Sequence, residues 1–104
     1  MKNRILHLTL SKMPFDVMVT GEKTTEYRNN SRWILSRLKG KGYDFIKFIN
    51  GYGNHRPFFI ARFRGWDVEA NPHSAQYSNG LKIHSKIGTV KIYIGEIIET
   101  GNLS

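Results

Sequence analysis

The chain contains no cysteine, which excludes disulfide staples, a thiolate zinc site and a cysteine nucleophile. It has no apolar run near the ~18–20 residues that a helix needs to cross a bilayer. The stretch Met1 to His7 joins positive charge to a broken apolar pattern, so the sequence predicts no secretory leader, no membrane contact and a cytoplasmic location. Its histidines, His7, His55, His73 and His84, lie far apart with no i, i+4 pair, so metal-ligand spacing is missing and no metal or cofactor is expected. His7 alternates with leucines, which predicts an interior or rim position. Acidic residues are scarce as well: 8 Asp and Glu face 16 Lys and Arg, a net charge of +8 over 104 residues. That length is one domain's worth, so residues 1–104 are read as a single domain.

The excess charge is concentrated. Between Arg28 and Arg64 lie Arg28, Arg32, Arg37, Lys39, Lys41, Lys47, Arg56, Arg62 and Arg64, against Asp44 alone, so this segment carries the whole net charge. From Gly65 onward acids outnumber bases. Such localisation favours a polyanionic partner, because neutralised phosphates release counterions and long-range attraction steers the encounter. A solvated basic surface, or a belt that meets an acidic protein, is the competing reading.

Hydrophobic periodicity sets the expected elements. Ile5–Leu10 alternates as a strand, and Ser11 and Pro14 suit the start of a short helix through Phe15, Met18 and Val19 that ends at Gly21. Thr24–Arg28 is a short strand candidate. Asn30 or Ser31 caps a second helix through Trp33, Ile34, Leu35 and Leu38, closed by Gly40, with Arg32, Ser36 and Lys39 on its other face. Tyr43–Asn50 is a strand broken by Gly51-Tyr52-Gly53, and Phe58–Val68 is the clearest strand, with a bend at Gly65. Ala70–Gly80 reads as the longest loop, Leu81–Lys86 as a strand, and Thr89–Ile98 as a strand with a break in register at Gly95. The expected fold class is α+β, mainly β: a small barrel of five or six strands with two short helices at its rim. An open four-stranded sheet with two packed helices is the alternative.

The segment Gly21-Glu22-Lys23-Thr24-Thr25-Glu26-Tyr27-Arg28 crowds ionisable groups behind a helix-ending glycine. In an extended chain Glu26 and Arg28 share a face and Lys23 sits at the turn. Glu26 then orients the cations for a phosphate or a base edge, or the three form an ion-pair strand at the surface. Tyr52, held between two glycines, is expected to be exposed for stacking, with Asn50 beside it as donor and acceptor.

These residues resemble a known family. Ile5-Leu6-His7-Leu8-Thr9-Leu10, then Pro14-Phe15-Asp16, then Gly21, Lys23, Glu26 and Arg28 in a Gly-x-Lys-x-x-Glu-x-Arg pattern, look like the start of the ASCH domain family of the PUA-like superfamily. Phe48-Ile49-Asn50-Gly51-Tyr52-Gly53 resembles a segment of its small stand-alone members, and Ile94-Gly95-Glu96-Ile97-Ile98-Glu99 its closing strand. The resemblance implies a PUA-like barrel that binds RNA or a nucleotide in a cleft beside the motif. On these residues, Lys23, Glu26, Arg28, Asn50 and Tyr52 are expected to build the cleft that recognises the base, and Arg62, Arg64 and the Arg32/Lys39 face of the second helix to hold phosphates.

The alternative is a hydrolase with Lys23 and Glu26 as its essential groups: the resemblance implies that some members deacetylate N4-acetylcytidine or cleave RNA, and a Lys–Glu pair in a cleft can serve as acid and base. In the deacetylase branch the motif is Lys-x-x-Thr with the threonine as nucleophile. Here Glu26 stands at that position, and Thr24 and Thr25 are out of register, so the correspondence stops at Lys23.

Overall fold

The computed structural model of the chain describes residues 3–103; Met1 and Lys2 of the N-terminal stretch lie outside them. Alternation dictates the first element. Leu6, Leu8 and Leu10 are buried along β1 (Ile5–Leu10), while His7 between them is exposed, so it is not an interior histidine. Ser11 keeps an extended backbone and starts α1 (Lys12–Val19), whose first turn accepts Pro14. Phe15, Val17 and Met18 form the buried stripe of that helix. Gly21 then takes a φ of +88°, a conformation that a residue with a Cβ avoids, and turns the chain into β2 (Thr25–Arg28).

α2 (Arg32–Leu38) begins where the Ser31 hydroxyl accepts the Ile34 N–H. It buries Ile34 and Leu38 and leaves Arg32, Trp33, Ser36 and Arg37 outside. β3 (Phe45–Asn50) starts two residues later than the apolar pattern suggests, because Tyr43 and Asp44 serve as a corner where Asp44 and Phe45 both donate to the Arg4 carbonyl. β4 (Phe58–Val68) has the predicted bounds. The expected long loop after it contains β5 (His73–Gln76), which pairs with β6 (Lys82–Ser85) as an antiparallel hairpin. β7 (Val90–Gly101) outruns its predicted end by pairing along the whole of β4.

The fold is mainly β with two helices, and its five-stranded sheet curls into a half-barrel in the order β1-β3-β4-β7-β2. β1 and β3 run parallel, and α1, β2 and α2 form the connection between them. Irregular register between β4 and β7, near Gly65 and Gly95, bends both strands and lets so short a sheet curl. Inside the curve Phe48 and Phe59 lie with ring centroids 5.2 Å apart, and Phe15 of α1 closes on Phe59 at 5.4 Å. Leu8, Ile46, Ala61, Val90 and Ile92 complete this core, where a fully buried side chain of that size contributes about 1.5–3 kcal/mol. Among the described residues no helix is long and apolar enough to cross a membrane.

Candidate functional site at the sheet seam

The strand order leaves β1 and β2 as the two ends of the curled sheet. No ladder joins them. Arg28 bridges the gap instead: its Nη2 donates to the Thr9 carbonyl of β1 at 2.7 Å, while its Nε donates to Glu26 Oε2 at 2.8 Å. Glu26 pairs across β2 with the buried Ile92 of β7, so its side chain points inward and is only 7% exposed. Its other oxygen accepts from Lys23 Nζ at 3.3 Å and from the Tyr27 N–H at 3.2 Å.

Lys23 is the most enclosed of the three. Its side chain is fully buried, and its ammonium also donates to the Thr25 carbonyl at 2.6 Å and meets Met18 Sδ at 3.6 Å and the Tyr27 ring at 5.4 Å. Burial holds this ammonium below the ordinary lysine range, with the Glu26 carboxylate pulling the other way. Lys23, Glu26 and Arg28 therefore form one continuous ionic chain from the core to the seam, with the cation nearest the core shut away from solvent and Arg28 partly open to it.

A cavity of about 320 Å³ lies directly along this seam. Thr9 and Ser11 form one wall, Glu26, Arg28 and Asn29 the other, and Ile83 of the β5–β6 hairpin reaches in. The hairpin is tied down at its tip. The Ser78 N–H donates to Glu22 at 2.7 Å, the Ser78 hydroxyl donates to the same carboxylate, and the Asn79 amide donates to the Met13 carbonyl at 3.0 Å. The two Ser78 bonds hold the Glu22 carboxyl below the usual range. At the hairpin's root the Ser85 hydroxyl donates to Glu69, which also pairs with Lys91, and His73 stacks on Tyr27 with centroids 6.4 Å apart. Exposed Ser74 and His84 face each other on its outer side, Oγ to Nδ1 2.7 Å.

The remaining predicted site residues lie elsewhere. Asn50 pairs with Leu10 in register but lines a separate cavity of about 460 Å³ with Lys12, Asp16 and Arg56. Its carbonyl accepts from Arg56 Nε. Tyr52 is exposed, at 88%, and lines neither hollow, because the glycines around it carry it past the end of β3 into solvent. Arg62 and Arg64 line a third hollow of about 430 Å³ with Tyr43, Asp44 and Phe45, and Arg62 is engaged by Glu96 at 3.1 Å. Arg32 and Lys39 are exposed at the two ends of α2. One cleft uniting Lys23, Glu26, Arg28, Asn50 and Tyr52 is thus not what the fold builds. Ser11, Asn29 and Ile83 take the places beside Glu26 and Arg28, and Ile83 arrives there through the tertiary ties of its hairpin, Ser78 to Glu22 and Asn79 to Met13.

Among the described residues no cluster of three or more His, Asp or Glu is placed to hold a metal ion. Comparison with known proteins returned no matching family model, no matching curated protein and no matching solved structure.

Proposed function

We propose that the chain is an RNA- or nucleotide-binding domain of the ASCH, PUA-like kind, and that it takes a base in the seam cavity. The observation that carries this reading is the placement of Glu26 and the partly exposed Arg28 side by side on one wall of a hollow of about 320 Å³, within the ~300–1,000 Å³ range of ligand pockets. A carboxylate next to a guanidinium matches a base edge that offers an amino group beside a carbonyl. Arg28 spends Nε and one Nη2 proton on Glu26 and Thr9, so its remaining N–H donors are free for a guest. The net charge of +8 supplies the attraction to phosphate.

The hydrolytic alternative has less support. Among the described residues the hydrogen-bond partners of the Lys23 ammonium are a carbonyl, a carboxylate and a thioether, so no hydroxyl nucleophile stands within its reach. Full burial also keeps that nitrogen from a substrate in the cavity. Lys23 is better suited to holding Glu26 in place.

The test is a backbone amide NMR titration with each of the common ribonucleoside monophosphates and a short RNA, for the wild type and for Ser11→Phe. Ser11 is exposed and makes no capping bond, so a ring there occupies the cavity while every member of the ionic chain is retained. Shifts at Thr9 to Ser11, Glu26 to Asn29 and Ile83 that vanish in the variant are expected. Absence of any perturbation, or binding unaffected by the plug, overturns the proposal.

A further inference from the structure

The cavity does not explain the most basic part of the chain. From Arg32 to Lys41 the sequence places Arg32, Arg37, Lys39 and Lys41 with no acid among them. All four are exposed. Among the described residues none of them forms an ion pair, whereas Lys12, Lys23, Arg28, Arg62 and Lys91 all do. At the centre stands Trp33, 53% exposed. The helix anchors itself through Ile34 and Leu38, each 1% exposed, so packing does not need the indole. Arg37, four residues on, places its guanidinium 5.2 Å from the ring centroid.

We propose that α2 and the turn after it form a track for single-stranded nucleic acid, with Trp33 as a base-stacking platform and Arg32, Arg37 and Lys39 as phosphate contacts. For the nature of the ligand this rests on the reading above; it does not depend on the seam cavity. The track adjoins that cavity. Asn29 lines the cavity, and Arg32 opens α2 three residues later. At the far end the Tyr43 hydroxyl donates to the Arg37 carbonyl, Arg4 stands 5.9 Å over the Tyr43 ring, and Tyr43 lines the hollow that holds Arg62 and Arg64. That hollow also contains Asp44, and Glu96 engages Arg62, so the grip on phosphate is strongest on α2.

An unpaired strand suits this face better than a duplex, because an exposed indole stacks only on a base that is splayed out. It also suits it better than a lipid surface. An interfacial helix needs a broad apolar face turned outward, and here the apolar stripe, Ile34 and Leu38, is buried in the core, with Trp33 the one large exposed apolar group of α2.

The experiment measures fluorescence anisotropy of labelled oligouridine, about ten nucleotides long, over a salt series. Uridine monophosphate and phosphatidylserine vesicles are the parallel probes. Trp33→Ala should weaken oligonucleotide binding by about 5- to 150-fold, the equivalent of ~1–3 kcal/mol of stacking. Trp33→Phe should restore most of it. The combined change Arg32→Gln, Arg37→Gln and Lys39→Gln should flatten the slope of log K against log salt by about 2, at ~0.7 per lost phosphate contact. Mononucleotide affinity should be unchanged by Trp33→Ala and Trp33→Phe, since Trp33 does not line the cavity and carries no charge. Oligonucleotide binding indifferent to Trp33→Ala and to the triple change overturns the track, as does vesicle binding that alone responds to them. Loss of mononucleotide binding by Ser11→Phe together with that indifference leaves the cavity reading standing by itself. Oligonucleotide binding that depends on Trp33 in a protein that takes no mononucleotide supports the track and removes the cavity.

Discussion

Replacing Glu26 by glutamine tests the seam most directly. The carboxylate is 7% exposed and faces two cations, Lys23 at 3.3 Å and Arg28 at 2.8 Å. Glutamine keeps the shape and one acceptor but removes the charge. The Lys23 side chain is wholly buried, so its ammonium would be left without a counterion in the core. Breaking a buried pair from one side costs about 3–5 kcal/mol. A small domain has only ~5–15 kcal/mol in total, so the change should cut deeply into its stability.

Lys23→Met should behave differently. It removes the buried charge itself, and Glu26 keeps Arg28 and the Tyr27 N–H. What remains is the Thr25 carbonyl without its donor, worth about 1–3 kcal/mol if fully enclosed. The assay is urea unfolding at neutral pH, followed by tryptophan fluorescence and far-ultraviolet circular dichroism, with unchanged m values as the check on two-state behaviour. An Glu26→Gln loss under 1 kcal/mol, or a Lys23→Met loss that exceeds it, refutes the account of the seam as an ionic chain centred on the carboxylate.

The pH dependence has a definite sign as well. Burial depresses the folded-state pKa of Lys23 below the ordinary value of 10.5. In the interval between the two the unfolded chain binds more protons, so this group makes stability rise as pH climbs toward 10.5, and Lys23→Met should abolish that rise in alkaline urea titrations. Glu22 has the opposite window: its carboxyl is lowered from 4.5 by the Ser78 bonds, so the stabilisation of the hairpin tip is complete above 4.5 and fades as pH falls through the folded value. Hydrogen exchange at Ser78 should accelerate in acid, and Ser78→Ala should remove most of that acid dependence. Phe59→Ala, which empties the centre of the Phe15–Phe48–Phe59 cluster, should cost about 3–5 kcal/mol by calorimetry. Gly101→Ala should cost about 1–3 kcal/mol, because a Cβ there collides with the Phe58 ring, and Gly95→Ala less, because it meets the movable end of Arg64. Equal losses at the two glycines would count against that distinction.

Strands with one wet face were legible in the residues. Ile5–Leu10 and Phe58–Val68 alternate cleanly and appear with those bounds, and the caps at Ser31 and Gly21 follow from local chemistry. β5 was not, since His73-Ser74-Ala75-Gln76 has a single half-buried apolar residue, and its pairing with β6 is held by tertiary contacts such as Ser78 to Glu22 and His73 on Tyr27. The same limit applies to the site. Spacing put Glu26 and Arg28 on one face of a strand, as found, but spacing carries no information on depth. Lys23 sits under Met18 of α1 and Tyr27 of β2, and that enclosure turns an expected ligand contact into a support. The glycines around Tyr52 and the amide of Asn50 point to a ligand contact, but the end of β3 leads both residues away from the seam.

The gap between β1 and β2 is spanned by a side chain, not a ladder, and this has a consequence for the chain among its own copies. Each terminal strand keeps a row of backbone groups that another polypeptide could satisfy. A guanidinium clasp, Arg28 on Thr9, helps guard this seam against strand exchange with its neighbours, with the tied hairpin beside it. Loss of that clasp should therefore show first as concentration-dependent association, well before the fold itself melts.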